Sequence, residues 1–408
     1  MTGRGSASRF ANDVVVVGGC GHAGLPLAIA LADRGKRVAI YDISVTAVAA
    51  VNAARLPFSE PGAAPLLLRA IESGLLAASA DPAIIGTAEH VIVVITGPAG
   101  EAQAESEPDL GPDAMAAALA GCSGQFRDGQ IMILRSTVSP GTTASVEKLV
   151  ASLGIDMDVA FCPERIAEGQ AMTELYDLPQ IIASRTARGL HRCAALFGVL
   201  TPVLVPLTPE EAELAKLFTN AWRYIRFAAA NQFYMIASDF GLDYERIRSG
   251  LVRDYPRAAG LAPAGFTAGP CLLKDTAGLA RASAGCTLGR AAIAVNEGLP
   301  GYLVSRLELR FELASMTVGI LGMAFKGGSD DTRASLSYRL AGLLAGRARA
   351  VLCTDPLVTS DPGLLPLETV LDRADLLVIA APHPHYRGLR TDKPVADIWD
   401  VLGRGVLA

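Results

Sequence analysis

The sequence lacks three features that would assign it to common classes: long apolar runs, an excess of basic residues, and a signal peptide. No apolar run approaches the ~18 residues that a membrane-spanning helix needs. Its 36 lysines and arginines are outnumbered by 41 aspartates and glutamates, which argues against a nucleic-acid partner. The first twelve residues have no apolar core. We therefore expect a cytoplasmic protein with a loose N-terminal tail and no membrane partner.

Paired cysteines and clustered histidines are also lacking. The seven cysteines are odd in number and never spaced CxxC, and the five histidines show no metal-ligand spacing. A disulfide framework or a metal site is therefore not expected. A scattered cysteine is most often a small buried apolar residue. We expect that of six of them, namely Cys20, Cys122, Cys162, Cys193, Cys286 and Cys353.

What the sequence does contain is an alternation of strand and helix patterns at both ends, with a helical stretch between them. A chain of 408 residues is long enough for two or three domains. Thr208 to Glu211 reads as a capping box that opens a helix running to about Phe240. The pattern predicts an α/β protein with two Rossmann-like doubly wound domains joined by a central helical domain with one long helix. We place these three domains at residues 1–205, 206–310 and 311–408.

The first strand runs into a glycine loop that is typical of dinucleotide binding. Gly19, Gly21 and Gly24 form GxGxxG after a strand and at the start of a helix. In this motif the glycines make the turn, admit the pyrophosphate and allow close packing of helix and strand. Asp42 ends the second strand, where a carboxylate accepts from the ribose hydroxyls and repels a 2′-phosphate. NAD is therefore the expected cofactor, although Asp42 could also be an ordinary helix N-terminal charge.

A thiol, an ammonium and a carboxylate fall within five residues in Cys271-Leu272-Leu273-Lys274-Asp275. A glycine-rich approach precedes them and leaves room for a ligand. A nucleophilic cysteine together with a hydride acceptor can take an alcohol past the aldehyde to a carboxylate. Cys271 is therefore the candidate nucleophile.

In order along the chain, several segments resemble the UDP-glucose/GDP-mannose dehydrogenase family, whose members make nucleotide-linked uronic acids. The segments are Gly19–Ala28, Glu60–Gly62, Arg135–Thr142, Cys162–Gly169, Lys216–Asn220, Gly265–Thr276 and Gly322–Ser335. The resemblance implies an N-terminal NAD domain, a central domain that builds a homodimer through its helix, and a C-terminal domain that grips the nucleotide of a UDP-sugar. It also implies four-electron oxidation of the sugar C6 hydroxyl through a Cys271 thioester.

The same resemblance assigns roles to individual residues. Lys216 and Asn220 match the family's oxyanion donors, and their spacing of four independently places them on one helix face. Asp275 matches an aspartate that positions water and tunes the lysine, Glu164 a base for thioester hydrolysis, and Thr137 a residue that holds a water. The alternatives are a solvated helix face for Lys216, a helix cap for Asp275 and a loop salt bridge for Glu164.

Further matches concern ligand binding. Thr96 and Ser136 are expected at the cofactor. Lys326 and Arg333 suit a diphosphate or uronate, and Arg257 resembles an arginine that reaches the neighbouring subunit's sugar. Lys274 either binds the nucleotide or sugar or faces solvent.

The sequence departs from the family pattern before the cysteine and leaves the sugar open. Proline at position 270 removes an N–H that could have served as a donor. UDP-glucose and a UDP-N-acetylhexosamine, such as UDP-N-acetylmannosamine, are both compatible with the clues, and GDP-mannose is less so. Two other classes remain: a two-electron hydroxyacid dehydrogenase, which has no need of Cys271, and a non-catalytic nucleotide sensor of the same fold.

Overall fold

The computed structural model describes residues 9–95 and 111–404. It divides into two compact units, Met1–Lys216 and Leu217–Ala408. The boundary falls within one long helix. The expectations for the tail before residue 9 and for Thr96 lie outside the described residues.

The first unit is a sheet of eight strands with helices between them. Its strands are β1 Asn12–Val17, β2 Val38–Tyr41, β3 Leu76–Ser79, β4 Ala88–Val93, β5 Ile131–Leu134, β6 Asp158–Phe161, β7 Gln180–Ser184 and β8 Leu204–Leu207. Its helices are α1 Gly24–Asp33, α2 Val45–Asn52, α3 Ala63–Glu72, α4 Asp113–Ala120, α5 Thr142–Leu153, α6 Ala171–Asp177 and α7 Ala187–Phe197. The strand order is β3-β2-β1-β4-β5-β6-β7-β8, which is the doubly wound arrangement predicted from the alternation.

One pair in this sheet departs from the expected parallel pattern. Strands β6 and β7 run antiparallel and share only two residue pairs, whereas the other six neighbouring pairs of strands are parallel. The connection between β6 and β7 contains the seven-residue helix α6, whereas α7, which connects the parallel strands β7 and β8, has 11 residues. Strand β8 contains Pro206, which is tolerated because β8 is an edge strand.

The second unit combines a bundle of helices with a smaller parallel sheet. Helix α8, Pro209–Asp239, crosses the unit boundary and is followed by α9 Tyr244–Val252, α10 Leu272–Ala282 and α11 Thr287–Glu308. The sheet consists of β9 Thr317–Leu321, β10 Ala350–Thr354, β11 Leu376–Ile379 and β12 Val395–Asp397, with α12 Leu336–Ala345 and α13 Leu367–Arg373. The strand order β10-β9-β11-β12 is parallel throughout. This unit therefore holds the second Rossmann-like half.

Helix α8 begins where the capping box predicts. The Thr208 N–H donates to Glu211 Oε2 at 2.8 Å, and the Glu211 N–H donates to Thr208 Oγ1 at 3.4 Å. The helix ends one residue before Phe240, and Gly241 follows with a φ of 70°, as expected for a helix stop. Over the described residues, no helix is both long enough and apolar enough to cross a membrane.

Candidate active site

The glycine loop after β1 has the shape that a dinucleotide needs. A Cβ at Gly24 would lie 2.6 Å from the Cα of Gly19, so only glycine allows helix α1 to pack this closely on the loop. A Cβ at Gly21 would meet nothing within 4 Å. The first turn of α1 contains no acidic residue. The loop therefore leaves open space beside a helix N-terminus, where backbone N–H groups bind pyrophosphate.

Asp42 follows β2 and closes the same loop. Its carboxylate accepts from the Cys20 N–H and from the Ser44 N–H, each at 3.0 Å. Burial and the neighbouring Asp42 carboxylate raise the pKa of the Cys20 thiol to about 12. Because a carboxylate offers about four acceptor positions, Asp42 retains positions for the ribose hydroxyls. The loop and Asp42 together fit NAD.

Ser136 and Thr137 follow β5, at the same carboxyl edge of the sheet. The Ser136 side chain is buried, and its hydroxyl has no hydrogen-bond partner among the described residues. A buried hydroxyl that lacks a partner in the protein is suited to form a hydrogen bond with an atom of the cofactor. Thr137 is exposed. The cofactor role of Ser136 and the water-holding role of Thr137 stay predictions.

Glu164, after β6, is paired with Arg135, which is 1% exposed. Arginine Nε and Nη2 approach Glu164 Oε2 at 2.8 and 2.5 Å. The other oxygen accepts from the N–H groups of Arg165 at 2.7 Å and Ile166 at 3.0 Å. The loop salt bridge considered as the alternative is therefore present. All of the ~four acceptor positions of this carboxylate are in use.

Lys216 lies on α8 and is only 9% exposed, so the alternative of a solvated helix face is wrong. One turn earlier, the buried Glu213 carboxylate accepts from the Gly141 N–H at 2.7 Å and from the Thr143 N–H and hydroxyl at 2.7 and 2.6 Å. Gly141 and Thr143 are at the start of α5, where backbone N–H groups lack helical partners. Glu213 therefore fixes the beginning of α8 against the loop that carries Ser136.

In the second unit, Cys271 is exposed and is the N-cap residue of α10. Asp275 lies one turn further along and is 4% exposed, so it is not the helix cap considered as an alternative. The Asn220 amide on α8 donates to Asp275 Oδ2 at 2.5 Å. The structure thus brings Asn220 and Asp275 together beneath the helix turn that begins with Cys271.

The loop after β9 carries the predicted substrate cations. Lys326 is half-buried, with Nζ 5.5 Å from the centre of the Phe325 ring. Arg333 is exposed, and its guanidinium forms a fork on Asp331 with a closest approach of 2.6 Å. Arg333 is therefore held in position by Asp331.

Asp355, which follows β10, stabilises the loop after β9 by accepting hydrogen bonds from its backbone. Its carboxylate accepts from the N–H groups of Met323 and Ala324 at 2.7 and 3.0 Å, and His383 Nε2 lies 3.1 Å from it. Burial acts to raise the pKa of Asp355, but hydrogen bonds from His383 and from Ala324 and Leu357 outweigh it and lower the pKa to about 2. Asp355 is therefore an anion that organises backbone N–H groups and not a titrating group near neutral pH.

The structure also places Arg257, Lys274 and the six cysteines that were expected to be buried. Arg257 is exposed, with Nη1 3.3 Å from the Tyr255 hydroxyl, and Lys274 is exposed on α10. The expectation of buried cysteines is wrong for half of the six. Cys20, Cys162 and Cys193 are buried, but Cys122, Cys286 and Cys353 are only partly so.

Sequence reasoning missed three polar residues that shape the site: Arg135, Glu213 and Asn231. All three are buried. A signal was available for two of them, since Glu213 and Asn231 are 18 residues apart, which is about five helical turns. They therefore share the face of α8 that also carries Lys216 and Asn220. No comparable pattern marks Arg135.

A doubly wound sheet with this glycine loop and acidic residue defines an NAD-binding protein. Three models of one family match the chain: the NAD binding domain of the UDP-glucose/GDP-mannose dehydrogenase family over residues 13–200, its central domain over 210–297 and its UDP binding domain over 319–404. The chain belongs to this family. It is an NAD-dependent nucleotide-sugar dehydrogenase with a domain that binds UDP.

The chain is also similar to individual curated proteins and solved structures over nearly its full length. It is 29% identical to the UDP-N-acetyl-D-mannosamine dehydrogenase of Pyrococcus horikoshii, covering 96% of this chain and 93% of the relative. It is 28% identical to the NDP-N-acetyl-D-galactosaminuronic acid dehydrogenase of Ralstonia solanacearum, covering 93% of both. The structure of a UDP-glucose dehydrogenase from Pyrobaculum islandicum matches with a TM-score of 0.86 and 26% identity, covering 98% of this chain and 97% of the other.

Proposed function

We propose that the protein oxidises the C6 hydroxyl of a UDP-sugar to a carboxylate, with Cys271 as the covalent nucleophile. The observation that carries the proposal is an exposed thiol at the N-terminal end of α10 in a chain that has NAD-binding and UDP-binding domains. The reaction consumes one water and two NAD per sugar and releases two NADH and three protons. NAD, when bound, supplies the hydride acceptor for each oxidation.

Cys271 acts on the aldehyde left by the first oxidation. Its thiolate adds to the carbonyl carbon, which forms a C–S bond and places negative charge on the sugar oxygen. The helix N-terminus at Cys271 favours the thiolate. Lys216 and Asn220 donate to the developing oxyanion. Asp275 orients the Asn220 amide through their hydrogen bond. The second oxidation converts the thiohemiacetal to a thioester.

Hydrolysis then releases the acid. Water held by Thr137 adds to the thioester carbon, its proton passes to Glu164, and the C–S bond breaks to return the Cys271 thiolate. Glu164 must first give up one of its four present hydrogen bonds to accept that proton. The bonds from the Arg165 and Ile166 N–H groups are on the oxygen that does not face Arg135. That oxygen is the one we assign to the water.

We further propose that the chain works as three domains, 1–205, 206–310 and 311–408. The family models over 13–200, 210–297 and 319–404 support this division. Gly19, Gly21, Gly24, Asp42, Ser136 and Thr96 then serve NAD in the first domain. Lys326 and Arg333 bind the UDP diphosphate in the third, and Lys274 and Arg257 contact substrate from the central domain.

The sugar is a UDP-N-acetylhexosamine in this proposal, with UDP-glucose as the second candidate. Similarity to the Pyrococcus and Ralstonia enzymes favours the first, and similarity to the Pyrobaculum structure favours the second. We expect the purified protein, given a panel of UDP- and GDP-sugars, to form two NADH per sugar with one of these two. One NADH per sugar indicates a two-electron dehydrogenase, and binding without any NADH indicates a sensor.

An exposed apolar stripe on α8 supports a homodimer. Phe218, Trp222, Phe233 and Ile236 on the helix, and Phe240 directly after it, are all exposed. At ~100° per residue they fall within about 60° of one another around the helix. Exposed apolar patches of this kind mark interaction surfaces. Residues of α9 widen the patch, which makes an apolar groove beside the end of α8. We propose that a second copy packs its own stripe on this one.

Trp222→Glu tests the homodimer. A charge in the centre of a buried apolar stripe is costly, so we expect this variant to sediment as a monomer at concentrations where the wild type is a dimer. Arg223→Glu is the control, because it places the same charge on the neighbouring exposed residue, ~100° away from the stripe. A dimeric Trp222→Glu variant, measured by sedimentation velocity, contradicts the proposal.

A further inference from the structure

The segment that leads to Cys271 is fixed at its first residue by a buried amide. Asn231 on α8 accepts from the Gly265 N–H at 2.9 Å and donates to the Gly265 carbonyl at 3.0 Å. A Cβ at Gly265 would lie 2.4 Å from the Trp399 ring, so the backbone also packs directly on that indole. Asn231 donates in addition to Asn296 at 2.9 Å. This end of the segment therefore has a rigid support.

The other end of the segment rests on the loop that follows β9. Gly269 has a φ of 98°, and a Cβ there would lie 2.6 Å from a carbon of the Phe325 ring. The phenyl ring thus packs against the bare Gly269 backbone, two residues before the thiol. The Gly269 N–H also donates to the Ala334 carbonyl at 3.4 Å. Phe325 and Ala334 adjoin Lys326 and Arg333, the two cations assigned to the UDP diphosphate.

This supporting loop holds a specific shape of its own. The Phe325 N–H donates to the Asp331 carbonyl at 2.9 Å, which closes the loop. Ala334 has a φ of 51°, a conformation that costs an alanine free energy. A residue in such a conformation persists only where its surroundings enforce it. The contact with Gly269 is one of those constraints, so the two segments define each other's geometry.

We propose that Phe325 is a positioning residue that couples occupancy of the loop carrying Lys326 and Arg333 to the placement of the Cys271 thiol. The coupling rests on the proposed function, in which that loop holds the diphosphate. Phosphate oxygens that attract Lys326 also restrain the adjacent Phe325 ring. Because Gly269 has no side chain, the Phe325 ring contacts its backbone directly. The ring therefore fixes the position of the backbone two residues before the Cys271 sulfur. UDP binding thereby prepares the nucleophile before the sugar reacts.

The test measures the reactivity of Cys271 toward iodoacetamide, with and without UDP. Alkylation of the Cys271 peptide is followed by mass spectrometry in the full-length protein, and UDP binding is measured by calorimetry. In the wild type we expect UDP to speed alkylation about fivefold or more, the lower end of common coupling strengths. In Phe325→Ala, UDP still binds, but the change falls below about twofold because the ring is gone. Phe325→Leu recovers part of the effect.

Phe311→Ala is the matched control. Phe311 is a half-buried ring in the same unit, just after α11, and this variant should show the full UDP effect. A catalytic readout accompanies these measurements: Phe325→Ala lowers kcat more than it raises the KM for the UDP-sugar. If Phe325→Ala does not fold, Phe325→Leu is compared with the wild type for the same reduced response.

Three results overturn the coupling. They are an unchanged UDP effect in the Phe325 variants, no UDP effect in the wild type, and loss of UDP binding in Phe325→Ala, which would make Phe325 part of the nucleotide site. Failure of the proposed function looks different. In that case Cys271→Ser keeps its turnover, whereas the UDP-dependent alkylation of the wild-type thiol can persist.

Discussion

Cys271→Ser is expected to abolish release of the uronate. A serine hydroxyl is a far weaker nucleophile than a thiolate at neutral pH and does not form a thioester. Loss of an essential nucleophile lowers kcat by on the order of 10³-fold or more. NAD and UDP binding should persist, because Cys271 is exposed and substitution by serine removes no buried group. Uronate is measured by mass spectrometry and NADH by absorbance.

The chain offers a closely matched control for this variant. Cys286 is, like Cys271, the N-cap residue of a helix without a side-chain capping bond, at the start of α11. Cys286→Ser should therefore retain wild-type turnover. If Cys271→Ser also retains it, the covalent mechanism fails, and the two-electron or sensor alternatives become the better descriptions.

Lys216→Met should lower kcat by about 10²- to 10³-fold, the usual effect of removing one donor to a developing oxyanion. The substitution keeps the aliphatic length of a residue that is 9% exposed, so α8 should pack as before. The KM for NAD should change little, since Lys216 is not among the residues assigned to the cofactor. Steady-state rates over a range of both substrates give the two constants.

Lys148→Met is the matched control, because Lys148 is an exposed lysine on α5 of the same unit. Its rates should equal those of the wild type. A Lys216→Met enzyme with unchanged kcat rules out the oxyanion role. An unfolded Lys216→Met protein, detected by circular dichroism, shows instead that the ammonium group is needed for the packing of α8.

Local patterns predicted much of the fold and of the cofactor loop. The strands Thr317–Leu321 and Ala350–Thr354 belong to the alternation of strands and helices predicted for the C-terminal end of the chain. Thr208 and Glu211 form the reciprocal capping bonds that their spacing indicates. These features could be predicted because each depends on residues within a few positions of one another.

Features that depend on distant partners could not be predicted from local patterns. Strand β3 is Leu-Ala-Ala-Ser, a composition with weak strand preference that pairs because β2 lies beside it. Arg135 and Glu164 are 29 residues apart, and Gly269 and Phe325 are 56 apart. The sequence shows that residue 269 is a glycine. It does not show that the Phe325 ring packs where a side chain would otherwise be.

The cysteine thiols of this chain differ in how readily they react with an electrophile. Burial raises the pKa of the Cys122 and Cys353 thiols, that of Cys353 to about 11, and burial together with Asp42 does the same for Cys20. Those sulfurs stay protonated and slow to react near neutral pH. In a Cys286→Ser background, which removes the other partly exposed N-cap thiol, brief treatment with a limiting electrophile therefore concentrates label on Cys271. The bound label then counts competent catalytic centres in a preparation, independently of its total protein.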